Sequence, residues 1–257
     1  MIIKANNLIH AKLLKQLRWL DFQYLTIVLG IKDIVRHLRQ EEHDQITKWR
    51  LLDVGAGDWT YQKYFPFLAP DHYKTFDPYH ASADYTSLAD LHGQKFNLLL
   101  CIEVLEHVPN PQKFLAELKE LILPGGYLII STPFAARLHY CPADYGRFSE
   151  VRLGQVAQDS GWEVKDFFYR GTTLQTLCNK LLYFFGQGLL RFNLFWPFYI
   201  LIFILALPFM MAFILAAYLQ LLLLKLSRGG KHQAGLPLNQ ADPLGMMAVL
   251  QPRPAPK

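Results

Sequence analysis

Two glycines follow an apolar run in the segment Leu51–Trp59. Glycine tolerates the positive φ of a tight turn and lets a ligand touch the backbone, whose unpaired N–H groups favour anionic groups. The third glycine of the dinucleotide fingerprint is absent, and Trp59 stands near its place, which argues against NAD. Gly55 and Gly57 therefore indicate a site for a nucleotide-like ligand of another kind.

A carboxylate follows at Asp77, twenty-two residues after Gly55, where the apolar and aromatic segment Tyr73–Phe76 ends. At the tip of a second strand, a carboxylate can accept hydrogen bonds from both ribose hydroxyls of an adenosine ligand. The alternative is an ordinary turn aspartate before Pro78.

Glu103, Glu106 and His107 form an E-x-x-E-H cluster, and His139 follows later in the chain. Three interpretations stay open. Glu106 and His107 can be structural residues that cap a helix and line a pocket. His107 or His139 can be a general base, because histidine titrates near neutral pH. Glu103, Glu106 and His107, with or without His139, can instead hold a divalent cation, since carboxylate and imidazole suit Mg²⁺ or Mn²⁺. The candidate catalytic residues are Glu103, His107 and His139.

Short apolar runs alternate with helical segments from Trp49 onward. Strands are predicted at 49–54, 73–77, 95–101, 126–132, 162–170 and 246–251, and helices at 59–66, 111–122 and 149–160. Strands separated by helices predict an α/β fold with a parallel sheet. The residues described above follow strand ends, at the edge where open α/β sheets hold ligands.

Residues 1–46 are predicted to be helical. A helical stripe of leucines is followed by the apolar stretch Phe22–Ile31; the stripe comprises Leu8, Leu13, Leu14, Leu17 and Leu20. Such helices can pack on the domain, or they can form a substrate lid or an interfacial membrane helix.

The order of these motifs resembles the class I S-adenosylmethionine-dependent methyltransferases, in particular bacterial enzymes for small molecules and polysaccharides. The resemblance rests on LDVGAG, Asp77, Asp84 in ADYTSL, and the run from Lys95 to Phe134 with EVLEHV, PGG and STP. It covers about half of the chain, and the combination is more specific than any single piece. It implies a Rossmann-like sheet of seven strands, the last one antiparallel, with S-adenosylmethionine as cofactor.

The resemblance also implies roles for individual residues on the donor side. Gly55 and Gly57 would approach the methionine part of the cofactor, and Asp53 would lie near its ammonium group. Asp77 would bind the ribose.

The adenine and the reacting methyl group have implied neighbours as well. Asp84 and the Tyr85 backbone would face the adenine amino group, and Cys101–Glu103 would form the wall beside the methyl group. The pattern departs from the family at Asn97, where aspartate is usual. The six residues between Asp77 and Asp84 are also too few for the usual helix.

On the acceptor side, the possible metal ligands resemble those of ubiquinone-pathway O-methyltransferases and small-RNA 2′-O-methyltransferases. The segment Asp144–Phe148 resembles an acceptor-side loop of polysaccharide-cluster relatives. Alternatively, Arg147 simply pairs with Asp144.

Residues 192–224 contain no charged side chain, and a run of this length is a candidate for a membrane-embedded segment. If the last strand pairs with the strand at 162–170, both ends of this insert lie on one side of the membrane. Pro208 divides the run into two arms of about 24 Å each as helix, shorter than the hydrocarbon core. A re-entrant hairpin kinked at Pro208, two full crossings, or a buried soluble hairpin are the alternatives. The predicted organisation is 1–46 helices, 47–173 plus 240–252 methyltransferase domain, and 174–232 membrane-associated helical insert.

Charge and cysteine content exclude several function classes. Six of the 26 basic residues but one of the 21 acidic residues lie in 181–257, so residues 1–180 have no net charge. A neutral domain argues against nucleic acid as a partner, and basic flanks of the insert favour a cytoplasmic location for both ends. The three cysteines have no spacing typical of disulfide frameworks or zinc sites.

The sequence therefore predicts an S-adenosylmethionine-dependent methyltransferase with its catalytic domain on the cytoplasmic face. Its acceptor is expected to be a hydroxyl of a membrane-associated or lipid-linked small molecule or saccharide, with membrane lipids as a partner. The alternatives are a membrane-bound scaffold without turnover, or a methyltransferase that acts on RNA or protein. A divalent cation remains an alternative second cofactor.

Overall fold

A six-stranded sheet forms the centre of the protein. The computed structural model describes residues 21–57, 60–138, 142–189, 196–227 and 243–253. The strands are β1 (Leu51–Val54), β2 (Tyr73–Phe76), β3 (Phe96–Ile102), β4 (Ile122–Pro133), β5 (Trp162–Arg170) and β6 (Gly245–Pro252), in the order β2-β1-β3-β4-β6-β5. Strands β1 to β4 are parallel to their neighbours, while β6 is antiparallel to both β4 and β5. The predicted Rossmann-like sheet with an antiparallel last strand is confirmed.

The sheet differs from the expected seven strands at its β2 edge. Within the described residues there are six strands, and beyond β2 Tyr85 forms a single parallel bridge with Phe76. A parallel crossover needs about a dozen residues or more. Tyr85 follows Phe76 by nine positions, so the edge strand is reduced to one bridge.

Three helices cover the two faces of the sheet. Helix α1 (Phe22–Glu42) packs on one face, and α2 (Pro111–Lys119) and α3 (Glu150–Asp159) pack on the other. The apolar side of α1 is buried against the sheet; it consists of Ile27, Ile31, Ile34 and Leu38. Asp21 caps α1, because its carboxylate accepts hydrogen bonds from the first-turn backbone N–H groups.

The predicted helix at 59–66 is wrong within the residues described. Instead, the chain forms short 3₁₀ turns at Gln62–Tyr64 and Pro70–His72. Pro66 explains this difference, because the residue before a proline disfavours the α conformation and proline itself donates no backbone hydrogen bond. The predicted leucine stripe at 8–20 lies outside the described residues.

Two helices form the insert between β5 and β6. They are α4 (Thr173–Leu189) and α5 (Trp196–Ser227), and they pack against each other as a hairpin. Arg170 at the end of β5 pairs in register with Gly245 at the start of β6. Both ends of the insert therefore leave the sheet at the same edge.

The predicted division of the apolar run at Pro208 is wrong. Helix α5 continues for 32 residues with Pro208 inside it, and α4 is the second arm of the hairpin. At 1.5 Å per residue, α5 is about 48 Å long. Proline removes one hydrogen bond of the helix, but the helix-forming apolar residues on both sides maintain the rest.

Most of α5 presents apolar side chains outward. Its segment Pro197–Leu223 is long and apolar enough to cross a membrane, with a mean hydropathy of 2.8, and only 17% of its most apolar window is buried. Among the described side chains of α5, Met210, Ile214 and Ala217 are buried, and Ile214 and Ala217 pack with Phe22 of α1 and Cys178 of α4. A helix that is mostly buried in a soluble core would show the opposite distribution.

Gly245 provides a test of the junction between the sheet and the insert. A Cβ atom at this position would overlap the Arg170 guanidinium and lie 2.5 Å from the Thr132 carbonyl oxygen. Gly245→Ala should therefore lower the free energy of unfolding by about 2 kcal/mol or more. Gly154→Ala is the matched control, because a Cβ there meets no atom within 4 Å and the position lies inside α3. The control should raise stability by about 0.5–1 kcal/mol. Thermal unfolding by circular dichroism checks both, and equal melting temperatures for the two variants would contradict the packing.

Candidate functional site

The predicted site residues gather at one edge of the sheet, where the parallel strands end. Gly55 follows β1, Asp77 follows β2 and Glu103 follows β3. Arg170 ends β5 at the same edge, next to the start of the insert. The sheet topology therefore brings together residues that are more than 100 positions apart in sequence.

The glycine turn after β1 is left-handed at two positions. Gly55 has a φ of +70° and Gly57 a φ of +53°. A Cβ at Gly55 would overlap Val104, whereas a Cβ at Gly57 would meet, among the described residues, only the His80 ring at 4.0 Å. Gly55 thus allows close packing within the protein, and Gly57 leaves the backbone open to an approaching ligand.

Asp77 lies directly against this turn. Its Oδ2 accepts a hydrogen bond of 2.9 Å from the Gly57 backbone N–H, and its Oδ1 accepts one of 2.8 Å from Tyr79. A carboxylate has about four acceptor positions, so two remain for other donors. A vicinal diol such as a ribose presents two such donors, so the turn and this carboxylate fit the adenosyl group.

Asp53 is buried in β1 beneath aromatic side chains. Its Oδ2 accepts a hydrogen bond from the Tyr73 hydroxyl and one of 3.3 Å from the Tyr61 backbone N–H. Burial raises the pKa of Asp53 to about 7, against the opposing effect of these hydrogen bonds. A cation placed nearby would favour its ionised form.

Asp84 and Tyr85 are hydrogen-bonded to strand β2. The Asp84 carboxylate accepts hydrogen bonds from the Thr75 backbone (2.9 Å), the Thr75 hydroxyl (2.8 Å) and the Lys74 ammonium (3.3 Å). Burial opposes ionisation of Asp84, but the hydrogen bonds from Thr75 and Lys74 outweigh it and lower the pKa. The Tyr85 backbone N–H donates to the Thr75 carbonyl. Both residues fasten the segment after Asp77 to the sheet.

Glu103 is held in a buried ion pair. Its Oε1 lies 2.6 Å from Nη2 of Arg170, which is 2% exposed, and 2.6 Å from the Ser131 hydroxyl. Its Oε2 accepts a hydrogen bond of 2.7 Å from Gln23 of α1. Its backbone has a φ of +56°, an uncommon conformation for a residue with a side chain. These contacts make Glu103 an anchor between β3, β4, β5 and α1.

Glu106 and His107 form a second, separate arrangement. Glu106 is fully buried, and burial together with the charge of Glu103 raises its pKa to about 9. Nδ1 of His107 lies against the Ala143 carbonyl oxygen, and its Nε2 lies 3.7 Å from Oε1 of Glu106. A carbonyl only accepts hydrogen bonds, so Nδ1 carries a proton and the basic lone pair of neutral His107 lies on Nε2.

The segment after β4 closes over His107. Asp144 and Arg147 pair through both carboxylate oxygens, and the Asp144 side chain is buried. The Tyr145 backbone N–H donates a hydrogen bond of 2.8 Å to the Glu106 carbonyl. The alternative that Arg147 pairs with Asp144 agrees with this geometry, although the pair is a buried support of the loop.

The structure does not describe every predicted site residue. His139 and Trp59 lie outside the described residues, and Cys101 is a buried thiol in the core of the sheet. In the described part of the chain, no three His, Cys, Asp or Glu side chains are placed to hold a metal ion. The Glu103 carboxylate, a predicted metal ligand, is bonded to Arg170.

Sequence reasoning missed the partners that hold these acids. They are Arg170 and Gln23 for Glu103, and Tyr73 for Asp53. A basic residue that ends the apolar strand Trp162–Arg170 was the available signal for one of them. A buried arginine needs a paired acid, but the sequence alone does not show that Arg170 is buried, because its burial depends on the pairing of β5 with β6.

Comparison with known proteins places the chain in a methyltransferase family. Residues 30–180 match a family model described as a methyltransferase domain, which is more than half of the chain. The chain is 29% identical over 114 residues to a ubiquinone biosynthesis O-methyltransferase of Paraburkholderia phymatum, covering 36% of this chain and 47% of that protein. It is 49% identical over 40 residues to the protein of the same name from Coxiella burnetii, covering 16% and 17%. The chain thus spans less than half the length of these curated relatives.

Solved structures of methyltransferases are also similar. A magnesium protoporphyrin IX methyltransferase from Synechocystis with bound S-adenosylmethionine has 18% identity and a TM-score of 0.39, covering 58% of this chain and 75% of that chain. A methyltransferase from Clostridium acetobutylicum has 7% identity and a TM-score of 0.45, covering 87% and 91%.

The raised pKa of Glu106 predicts how stability depends on pH. The folded state holds this proton up to about pH 9, whereas the ordinary pKa of a glutamate is 4.5. The stabilising effect of this proton is therefore complete below about pH 4.5 and is lost as the pH rises towards 9, with a slope of at most about 1.4 kcal/mol per pH unit. Glu106→Gln should flatten this slope, because glutamine resembles the neutral acid. Urea unfolding at pH 5, 7 and 9 measures it, with the half-exposed Glu117→Gln as control; equal slopes for Glu106→Gln and wild type would refute the assignment.

Proposed function

The chain belongs to the class I S-adenosylmethionine-dependent methyltransferase family, and on this premise we propose that it methylates a hydroxyl oxygen of a small acceptor held at a membrane. The observation that carries the proposal is the position of the insert. The apolar hairpin leaves the sheet at the same edge as Gly55, Asp77 and His107, next to the ion pair of Arg170 with Glu103. An acceptor dissolved in the bilayer would reach this edge from the side of the hairpin.

The donor side of the site is assigned to four residues. Gly55 and Gly57 form the turn beneath the methionine part, and Asp77 accepts the ribose hydroxyls with its remaining lone pairs. Asp53 supplies negative charge for the methionine ammonium, and its pKa of about 7 makes this charge responsive to the cation. When bound, S-adenosylmethionine supplies an electrophilic methyl group.

Asp84 and Tyr85 have a supporting role in this proposal. Their hydrogen bonds to Thr75 fix the segment that follows Asp77. They would therefore shape the adenine side of the pocket through the backbone of this segment rather than through direct contact.

His107 is the proposed general base. The Ala143 carbonyl holds Nδ1 as the donor, which directs the basic lone pair to Nε2. A hydroxyl acceptor must lose a proton as its oxygen takes the methyl group, and a neutral imidazole can accept that proton near pH 7. Glu106, neutral because of its raised pKa, leaves the region without a second negative charge beside Glu103. His139 remains the alternative base.

Glu103 is proposed as a positioning residue. Its carboxylate is bonded to Arg170, Ser131 and Gln23, so proton acceptance would break a buried ion pair. Its positive φ orients the chain that leads to His107.

The membrane assignment rests on helix α5. Outward-facing side chains such as Leu205, Phe209 and Leu215 are 64%, 70% and 71% exposed. Exposing this much apolar surface to water is unfavourable, at about 25 cal/mol per Å². Burial in a bilayer would remove this penalty, and the basic residues on both flanks favour a cytoplasmic catalytic domain.

The first test is cofactor binding by Asp77→Ala. Loss of both ribose hydrogen bonds should raise the Kd for S-adenosylmethionine by about tenfold to a hundredfold. Asp71→Ala is the control, since Asp71 is an exposed acid in the turn before β2. Isothermal titration calorimetry on protein in neutral detergent measures both. Equal affinity of wild type and Asp77→Ala would remove the proposed donor site.

The second test identifies the acceptor class. Membranes that contain wild-type protein are incubated with methyl-labelled S-adenosylmethionine and extracted with organic solvent, with Asp77→Ala membranes as control. We expect label in the organic phase of the wild-type sample alone. Label confined to water-soluble products would contradict a membrane acceptor. Cofactor binding without any labelled product would indicate a scaffold without turnover.

A further inference from the structure

A basic groove lies along α1, and its lining residues include neither the glycine turn nor His107. Its cavity of about 450 Å³ lies between α1 and the segment after β1, and it is lined by Lys32, Val35, Arg36, Arg39, Gln40 and Tyr64. This volume is typical of pockets for small molecules. The lining residues from α1 follow the pattern i, i+3, i+4, i+7, i+8, so they share one face of the helix.

Aromatic rings contact two of the lining cations and one further cation, Lys63. The Lys32 ammonium lies 5.5 Å from the centre of the Tyr64 ring, and the Lys63 ammonium lies 5.0 Å from the same ring. The Arg39 guanidinium lies 5.0 Å from the Phe67 ring. Cation–π contacts of this kind restrict long side chains and hold their charges in place.

Acidic residues compensate only part of this charge. Arg36 pairs with Asp33 at 3.1 Å, while the nearby Glu41 pairs with His37 at 3.2 Å. Lys32, Arg36, Arg39 and Lys63 against Asp33 and Glu41 give the groove a net charge of about +2, although residues 1–180 have no net charge. Like charges held together in this way repel one another unless an anion lies between them.

We infer that this groove binds a phosphate group that belongs to a larger organic molecule. Arg36 and Arg39 offer planar guanidinium groups that suit phosphate oxygens, and Lys32 offers a point charge. Lys32 and Arg39 are about 10 Å apart along the helix axis, so a diphosphate or a monophosphate with an attached polar group fits between them. Val35 and Tyr64 supply apolar surface for the rest of the molecule.

Such a phosphate group can belong to a soluble phosphorylated compound or to the headgroup of an anionic lipid. The residues that line the groove are not among those assigned to the methyl-donor site, so this inference does not rest on the proposed function. The two sources are distinguished by the probe.

Binding of inorganic pyrophosphate tests the soluble source. The wild-type protein in neutral detergent is titrated by calorimetry, together with the double variants Arg36→Gln/Arg39→Gln and Lys113→Gln/Lys165→Gln. Both variants lose two positive charges, but Lys113 and Lys165 lie on α2 and β5, outside the groove. We expect the groove variant to raise the Kd at least about tenfold, the control variant to leave it near the wild-type value, and added salt to weaken wild-type binding.

Vesicles test the lipid source with the same three proteins. They consist of phosphatidylcholine with or without phosphatidylglycerol, and co-sedimentation is measured. A preference for phosphatidylglycerol that only the groove variant loses would assign the site to a lipid phosphate. If both double variants behave alike with both probes, while circular dichroism shows all proteins folded, the phosphate site does not exist.

Discussion

The buried ion pair of Arg170 with Glu103 is the contact on which the functional edge of the sheet depends. Removing one partner of a buried pair leaves an unpaired charge and destabilises a protein by about 3–5 kcal/mol. Here the pair also receives Gln23 from α1 and Ser131 from β4, so four elements meet at one carboxylate. Arg170 is also the last residue of β5 before the insert. The hairpin is therefore connected to the site through the backbone and through the ion pair of Arg170 with Glu103.

The acids of the site differ in charge because their surroundings differ. Glu103 has the Arg170 guanidinium beside it, whereas burial and the nearby charge of Glu103 raise the pKa of Glu106. Asp53 is buried under Tyr73 and Tyr61, and its pKa is raised towards neutrality. The ion pair of Glu103 with Arg170 is therefore charged, whereas the raised pKa values of Glu106 and Asp53 favour their neutral forms.

The sequence was sufficient for the sheet, the glycine turn and Asp77, because each depends on local patterns of apolar residues, glycine and strand ends. It was insufficient at Pro208, which lies inside a continuous helix, and at 59–66, where the described residues form a short 3₁₀ turn before Pro66. The partners of Glu103 and Asp84 could not be predicted from it either. Their partners Arg170 and Thr75 come from other strands, so pairing in three dimensions decides whether a carboxylate is open to a ligand or bonded to the protein.

The position of β6 between β4 and β5 has a consequence for biosynthesis. In the sheet, β5 pairs with β6 alone, so it has no edge to join until residues 245–252 have been made. A ribosome completes the apolar helix 196–227 before that strand. The hairpin therefore emerges, and can be taken up by a bilayer, while the sheet is still open. If the hairpin enters a bilayer, as proposed, the sheet would close next to the lipid surface when β6 pairs with β4 and β5.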